Sequence, residues 1–155
     1  MNSRKTPPAS NKKKVYRLRL PAETRNLEII RKFVVGIAQQ YDFSEEDVYN
    51  IELAVDEAAS NVIKHAYTHP SSNEKIIDVA VRERSDGLEI VIGDKGKGFD
   101  PQAVKPPDMG EYMKKLKSGG LGLFLIKKLM DRVSFRMRPG IRNEIRMIKY
   151  LKPHG

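Results

Sequence analysis

Between Asp94 and Gly120 the chain cannot sustain a regular element. Gly96, Gly98, Gly110, Gly119 and Gly120 interrupt any helix or strand, and Pro101, Pro106 and Pro107 remove backbone donors. An apolar run, Leu88 to Ile92, leads into this segment, and a second, Leu121 to Met130, leads out of it. The segment is much longer than the usual connection of about 4–6 residues, so it reads as a lid or as a stretch without fixed structure. Any core must therefore be built from the blocks on either side of it.

The block before it opens with Val15-Tyr16-Arg17-Leu18-Arg19-Leu20, alternating apolar and polar, the period of a half-buried strand that Pro21 ends. From Glu23 to about Tyr41 the residues Leu27, Ile30, Phe33, Val34, Ile37 and Ala38 recur at helical spacing. Ser44, with Asp47 three residues on, predicts an N-cap that starts a second helix, from Glu45 to about Tyr67. Lys75 to Arg84 and Leu88 to Ile92 predict a hairpin around Ser85-Asp86-Gly87. After the glycine-rich segment, a helix over Leu121 to Met130 and strands over Val133–Arg138 and Glu144–Leu151, turning at Pro139-Gly140, complete the expectation.

With 155 residues there is room for one ordinary core. No apolar run approaches the roughly 20 residues that span a bilayer. Met1 to Lys14 lacks the apolar stretch of a secretory signal, and the chain has no cysteine for disulfides or thiolate metal sites. A cytoplasmic location is expected. Of the net charge of +9, Arg4, Lys5, Lys12, Lys13 and Lys14 supply five, so residues 1–14 read as a disordered basic tail and 15–152 as the folded domain. That leaves a weak attraction to acidic partners rather than a nucleic-acid signature.

Three motifs carry chemistry. On the second helix, in ELAVDEAASNVIKHAY, Glu57 and Asn61 stand one turn apart at the edge of the apolar stripe. An amide oxygen can coordinate a hard cation there while the carboxylate accepts a proton, although alone such a pair reads as a solvated rim. His65 and His69 stand at i, i+4, without a third metal ligand in view. In DKGKGFD, directly after a strand, Gly96 and Gly98 permit close backbone approach and Asp94 can accept from a ligand amine such as that of adenine. In SGGLGLFLIKKLMD, glycines run straight into a helix whose free N–H groups and dipole suit phosphate. Neither a P-loop nor a Rossmann fingerprint is present.

In this order and on these elements, the three motifs resemble the N, G1 and G2 boxes of the GHKL (Bergerat-fold) ATPases. The wording VDEAASNVIKHAY, GDKGKGFDP and GGLGLFLIKKLMDRV is most similar to the anti-sigma-factor serine/threonine kinases of sporulation and general stress, from about Val15 to Leu151. The resemblance implies an α/β (α+β) two-layer sandwich, with helices over one face of a mixed, mainly antiparallel sheet. It implies ATP and magnesium as cofactors. Glu57 would be the general base, Asn61 the magnesium ligand and Asp94 the adenine reader. Gly96 and Gly98 would border the base, and Gly119, Gly120, Leu121 and Gly122 the phosphates. Relatives often carry an arginine just before the second glycine box, where this chain has Lys117 and Ser118, so Lys117 would reach the phosphates as a point charge without the arginine fork.

The implied function is phosphorylation of a STAS-type anti-anti-sigma protein by a kinase that also sequesters a sigma factor, with a homodimer as a further family implication and no direct contact with nucleic acid or membrane. The alternative is a nucleotide-gated regulator of the same fold without effective transfer. A histidine-kinase catalytic domain would need a phospho-accepting histidine on a helix ahead of the ATP domain, whereas here the tail precedes the first strand directly.

Overall fold

The computed structural model describes residues 13–67, 74–98 and 122–153. Strand β1, Val15–Pro21, keeps the alternating exposure its sequence predicts. The chain then makes a 3-10 turn, Thr24–Asn26, before helix α1, Leu27–Ala38. The helical stretch is thus shorter than the apolar spacing suggested. Asn26 is buried at the junction, and its side-chain amide donates to the Pro21 carbonyl at 2.8 Å. Helix α2, Glu45–Asn61, starts where the sequence places it: the Ser44 hydroxyl accepts from the Asp47 N–H at 3.0 Å, and Glu45, Glu46 and Asp47 fill the first turn at the positive end of the dipole. It runs into a π-helical turn, Val62–Ala66.

Strands β2, Ile76–Arg84, and β3, Gly87–Asp94, form the predicted hairpin. Helix α3, Gly122–Leu129, leads to β4, Arg132–Arg138, and β5, Arg142–Tyr150, which pair around a turn where Gly140 takes φ +76°. The five strands are ordered β1-β2-β3-β5-β4, and every pairing among the described residues is antiparallel. The last strand in the chain, β5, therefore lies inside the sheet, between β3 and β4. Gly87 is required at that seam, because a Cβ there would collide with the backbone of Lys149 on β5.

One face of the sheet carries the helices. Ile30 and Val34 of α1, Ile51 and Val55 of α2 and Ile126 of α3 pack on Val79, Val81, Ile90, Ile92 and Met147, all essentially inaccessible. Each such side chain contributes about 1.5–3 kcal/mol by leaving water. Lys149 also points inward. Its buried ammonium donates to the Leu129 carbonyl at 2.7 Å, at the C-terminus of α3, with Asp47 and Asp131 at 3.7 and 3.8 Å.

The other face is a lattice of charge. Arg19 on β1 meets Asp78 on β2 at 2.6 Å, and Arg142 on β5 reaches the same carboxylate at 2.5 Å. Arg142 can cross β3 because Gly93, which pairs with both Asp78 and Glu144, has no side chain for the guanidinium to strike. Glu144 joins Arg142 and Arg146 at 3.2 and 3.1 Å, and Glu89 lies 3.5 Å from Arg146 and 3.7 Å from Arg82. Burial would push the Asp78 carboxyl up, but hydrogen bonds from Arg19 and Arg142 outweigh it and hold the group below the usual carboxylate range.

At the start of the described chain, Lys14 already belongs to the sheet edge, its carbonyl accepting from the Glu83 N–H at 2.8 Å. Residues 1–12, the bulk of the expected basic tail, lie outside the described residues.

Candidate functional site

The end of α2 and the start of α3 meet. An ideal Cβ on Gly122 would lie 2.8 Å from Glu57 Oε2 and 3.0 Å from Asn61 Nδ2, so the absence of a side chain there is what lets the helix carrying the second glycine box pack against the first motif. Glu57 and Asn61, one turn apart as predicted, are both half-buried. Burial raises the Glu57 carboxyl above its ordinary value, the neighbouring Asp56 charge adds to the rise, and Lys64 opposes it.

Beside this junction lies a cavity of about 310 Å³, between α2, α3 and the inner face of the sheet. Its wall is mostly apolar, with Val62, Ile92, Ile126, Met137 and Ile145, and Asp94 and Asn143 reach into it from the sheet. Flat apolar walls with a few convergent polar groups are what a purine ring needs. Asp94 is buried at the end of β3. Its Oδ1 accepts from the Gly96 N–H at 2.7 Å and from the Asn143 amide at 3.1 Å. Both described bonds fall on one oxygen, which leaves the second lone-pair set, on Oδ2, for a donor in the cavity.

The turn after Asp94 is tied on three sides. The Lys97 N–H donates to the Ala66 carbonyl at 3.0 Å, the Asn143 amide to the Gly96 carbonyl at 2.8 Å, and the Gly140 N–H to the same carbonyl at 2.8 Å. Tyr67 adds a fourth tie: its hydroxyl accepts from the Lys95 N–H at 2.9 Å and donates to the Ile76 carbonyl at 2.7 Å. Gly96 sits against the Ala66 backbone, where a Cβ would overlap the carbonyl, and Gly98 has φ +69° beside the Asn143 amide oxygen. Glycine is therefore demanded at both positions. Gly96→Ala should cost about 1–3 kcal/mol, because backbone rather than a flexible side chain must give way. A thermal melt checks it; an unchanged midpoint would mean that the turn and helix end do not need this approach.

The structure thus brings Glu57, Asn61, Asp94, Gly96, Gly98 and Gly122 to one cavity and its rim. Lys117, Gly119, Gly120 and Leu121 lie outside the described residues, as does His69. His65 lines the cavity, and among the described residues no cluster of metal-ligating side chains forms. Sequence reasoning missed Asn143, which orients Asp94, receives the Arg138 N–H on its own oxygen at 3.1 Å and holds the Gly96 carbonyl. The available signal was the alternation of the strand itself, which puts Asn143 on the same inward face as Ile145 and Met147.

Residues 20–149 match the model of the histidine kinase-like ATPase domain. The serine-protein kinase RsbW of Staphylococcus aureus is 36% identical over 146 residues, covering 92% of this chain and 90% of that protein. Among solved structures, the SiaB–SiaC complex of Pseudomonas aeruginosa superposes with a TM-score of 0.65 at 16% identity, covering 86% of this chain and 88% of the other. The RsbU and RsbW domains of Rv1364c from Mycobacterium tuberculosis give 0.62 at 13% identity, over 88% of this chain and 32% of that longer one. The two structures speak for the fold, and the staphylococcal kinase for the family. By the family model over residues 20–149 and the 36% identity to the staphylococcal kinase, the chain belongs to the GHKL, histidine kinase-like ATPases and, within them, to the anti-sigma-factor serine kinase family.

Proposed function

We propose that this protein is an ATP-dependent serine/threonine kinase that sequesters a sigma factor and phosphorylates a serine of a STAS-type anti-anti-sigma protein. The observation that carries the reading is the meeting of Glu57 and Asn61 over Gly122 at the rim of the Asp94 cavity. Bound ATP with magnesium would supply the transferable phosphoryl group and the charge that neutralises it. Asp94 Oδ2 accepts from the adenine amine, and the apolar wall excludes water around the base. Asn61 would offer its amide oxygen to magnesium, and Gly122, at the start of α3, would leave the helix N-terminus open to phosphate. Glu57 takes the proton of the attacking serine hydroxyl as the new oxygen–phosphorus bond forms and ADP leaves.

A cytoplasmic setting fits this role, and among the described residues no helix is long and apolar enough to cross a membrane. Incubation with ATP, magnesium and a purified STAS partner, read by phosphoserine mass spectrometry, tests the proposal. Transfer to one serine supports it; nucleotide binding without transfer would establish the nucleotide-gated binding module instead.

Magnesium keeps several waters and takes few protein oxygens, so the loss of Asn61 should be felt mainly through the metal. In Asn61→Ala, magnesium should no longer tighten ATP binding. Calorimetry with and without the ion checks this, and an undiminished magnesium effect would put the ligand elsewhere.

A further inference from the structure

The helix-free face of the sheet has more positive charge than it can pair. The cross-strand lattice sets four arginines against three carboxylates, Asp78, Glu89 and Glu144, each of which already has at least two arginine partners. Around it stand Arg17 on β1 and Arg132 and Arg136 on β4, all exposed and, among the described residues, without a carboxylate in ion-pair range. No lysine occupies an outward position of any of the five strands. Arginine in place of lysine is the preference of protein interfaces, since its planar guanidinium is weakly hydrated and binds carboxylates through two parallel hydrogen bonds.

The centre of the face is low. Across the middle row Arg17 pairs with Ala80, Ala80 with Val91 and Val91 with Arg146, and Ala80 and Val91 are 8% and 3% exposed beneath the arginine stems. Gly93 lies in the next row. The result is a flat platform of ordered guanidinium groups with unpaired ones at both edges. We propose that this face docks an acidic surface of a protein partner, with Arg17, Arg132 and Arg136 as its anchors and the lattice as its rigid floor.

A second copy of the chain would bring like charges together. Nucleic acid fits less well than an acidic protein, because a phosphate backbone laid across the sheet would meet Asp78, Glu89 and Glu144, whereas carboxylate side chains can enter between them. The face lies across the sheet from Glu57 and Asp94, so docking there leaves the cavity open, and the inference stands apart from the kinase reading.

The test uses the full chain, a fluorescein-labelled Glu/Asp peptide as acidic probe and a labelled DNA duplex as the competing one. Arg17→Glu, Arg132→Glu and Arg136→Glu are combined in one variant; Arg25→Glu, Lys32→Glu and Lys75→Glu make a second with the same net charge change on other elements. The sheet variant should lose roughly tenfold or more in peptide affinity by anisotropy at low salt, the other less than about threefold, with ATP binding equal to wild type in both. Equal losses in the two variants, or no peptide binding by wild type, would overturn the proposal. Tighter binding of DNA than of peptide, lost only in the sheet variant, would overturn it in favour of a nucleic-acid face. Should the reversed variant fail to fold by circular dichroism, Arg→Gln at the same three positions decides by the same comparison.

Discussion

Glu57→Gln is expected to transfer phosphate to a STAS partner roughly 10²–10⁴ times more slowly than wild type while binding ATP with nearly unchanged affinity, the signature of a group that acts in the transition state. Glutamine keeps the shape that packs over Gly122 and cannot take a proton. The native carboxyl also makes a pH signature available. A base works only when deprotonated, so the rate should climb with pH as Glu57 ionises. Burial and the Asp56 charge move that ionisation upward, with Lys64 opposing them, so the acid limb should lie above the ordinary glutamate value of about 4.3. Single-turnover rates across the acid range check both points. Wild-type speed in the variant would remove Glu57 from the chemistry, and an acid limb that survives the substitution would assign the titration to another group.

Asp94→Asn should lower ATP affinity by about 1–3 kcal/mol, or roughly 5- to 150-fold. The substitution is chosen for what it preserves. Oδ1 remains an acceptor for the Gly96 N–H and the Asn143 amide, so the turn keeps its bonds. At the other position an NH₂ would face the adenine amine, donor against donor. GTP offers a carbonyl at that place, so its affinity should rise relative to ATP, and calorimetry with both nucleotides reads the exchange. Unchanged preference and unchanged ATP affinity together would mean that Asp94 does not read the base.

Much of this molecule is written in short-range pattern. Ser44 and Asp47 announce the cap of α2, the alternation in Val15 to Leu20 announces β1, and the two hairpins follow from their turn residues. The misses are longer-range or off-register. Hydrogen bonds one residue tighter or wider than the α-helix leave the apolar spacing almost untouched, so neither the 3-10 turn before α1 nor the π turn after α2 shows in it. β3 extends past Ile92 to Asp94 because Gly93 and Asp94 find partners on neighbouring strands, which no local window contains. Glu57, Asn61 and Gly122 were each legible as candidates. Their meeting depends on how α2 and α3 cross, and the arginine lattice on the register of four strands.

The π turn has a consequence for how the helix can change length. A π turn is wider than an α turn by one residue, so Val62–Ala66 holds one residue that an α-helical path would not need. Removing any one of them would let α2 continue in regular register, with a better-bonded backbone of its own. It would also swing every later residue by about 100° around the axis and carry the Ala66 carbonyl away from the Lys97 N–H and from the groove that Gly96 fills. Here the count of residues matters more than their kind: substitutions within the turn are tolerable wherever packing allows, while a single deletion would exchange the cavity beside α2 for a neater helix.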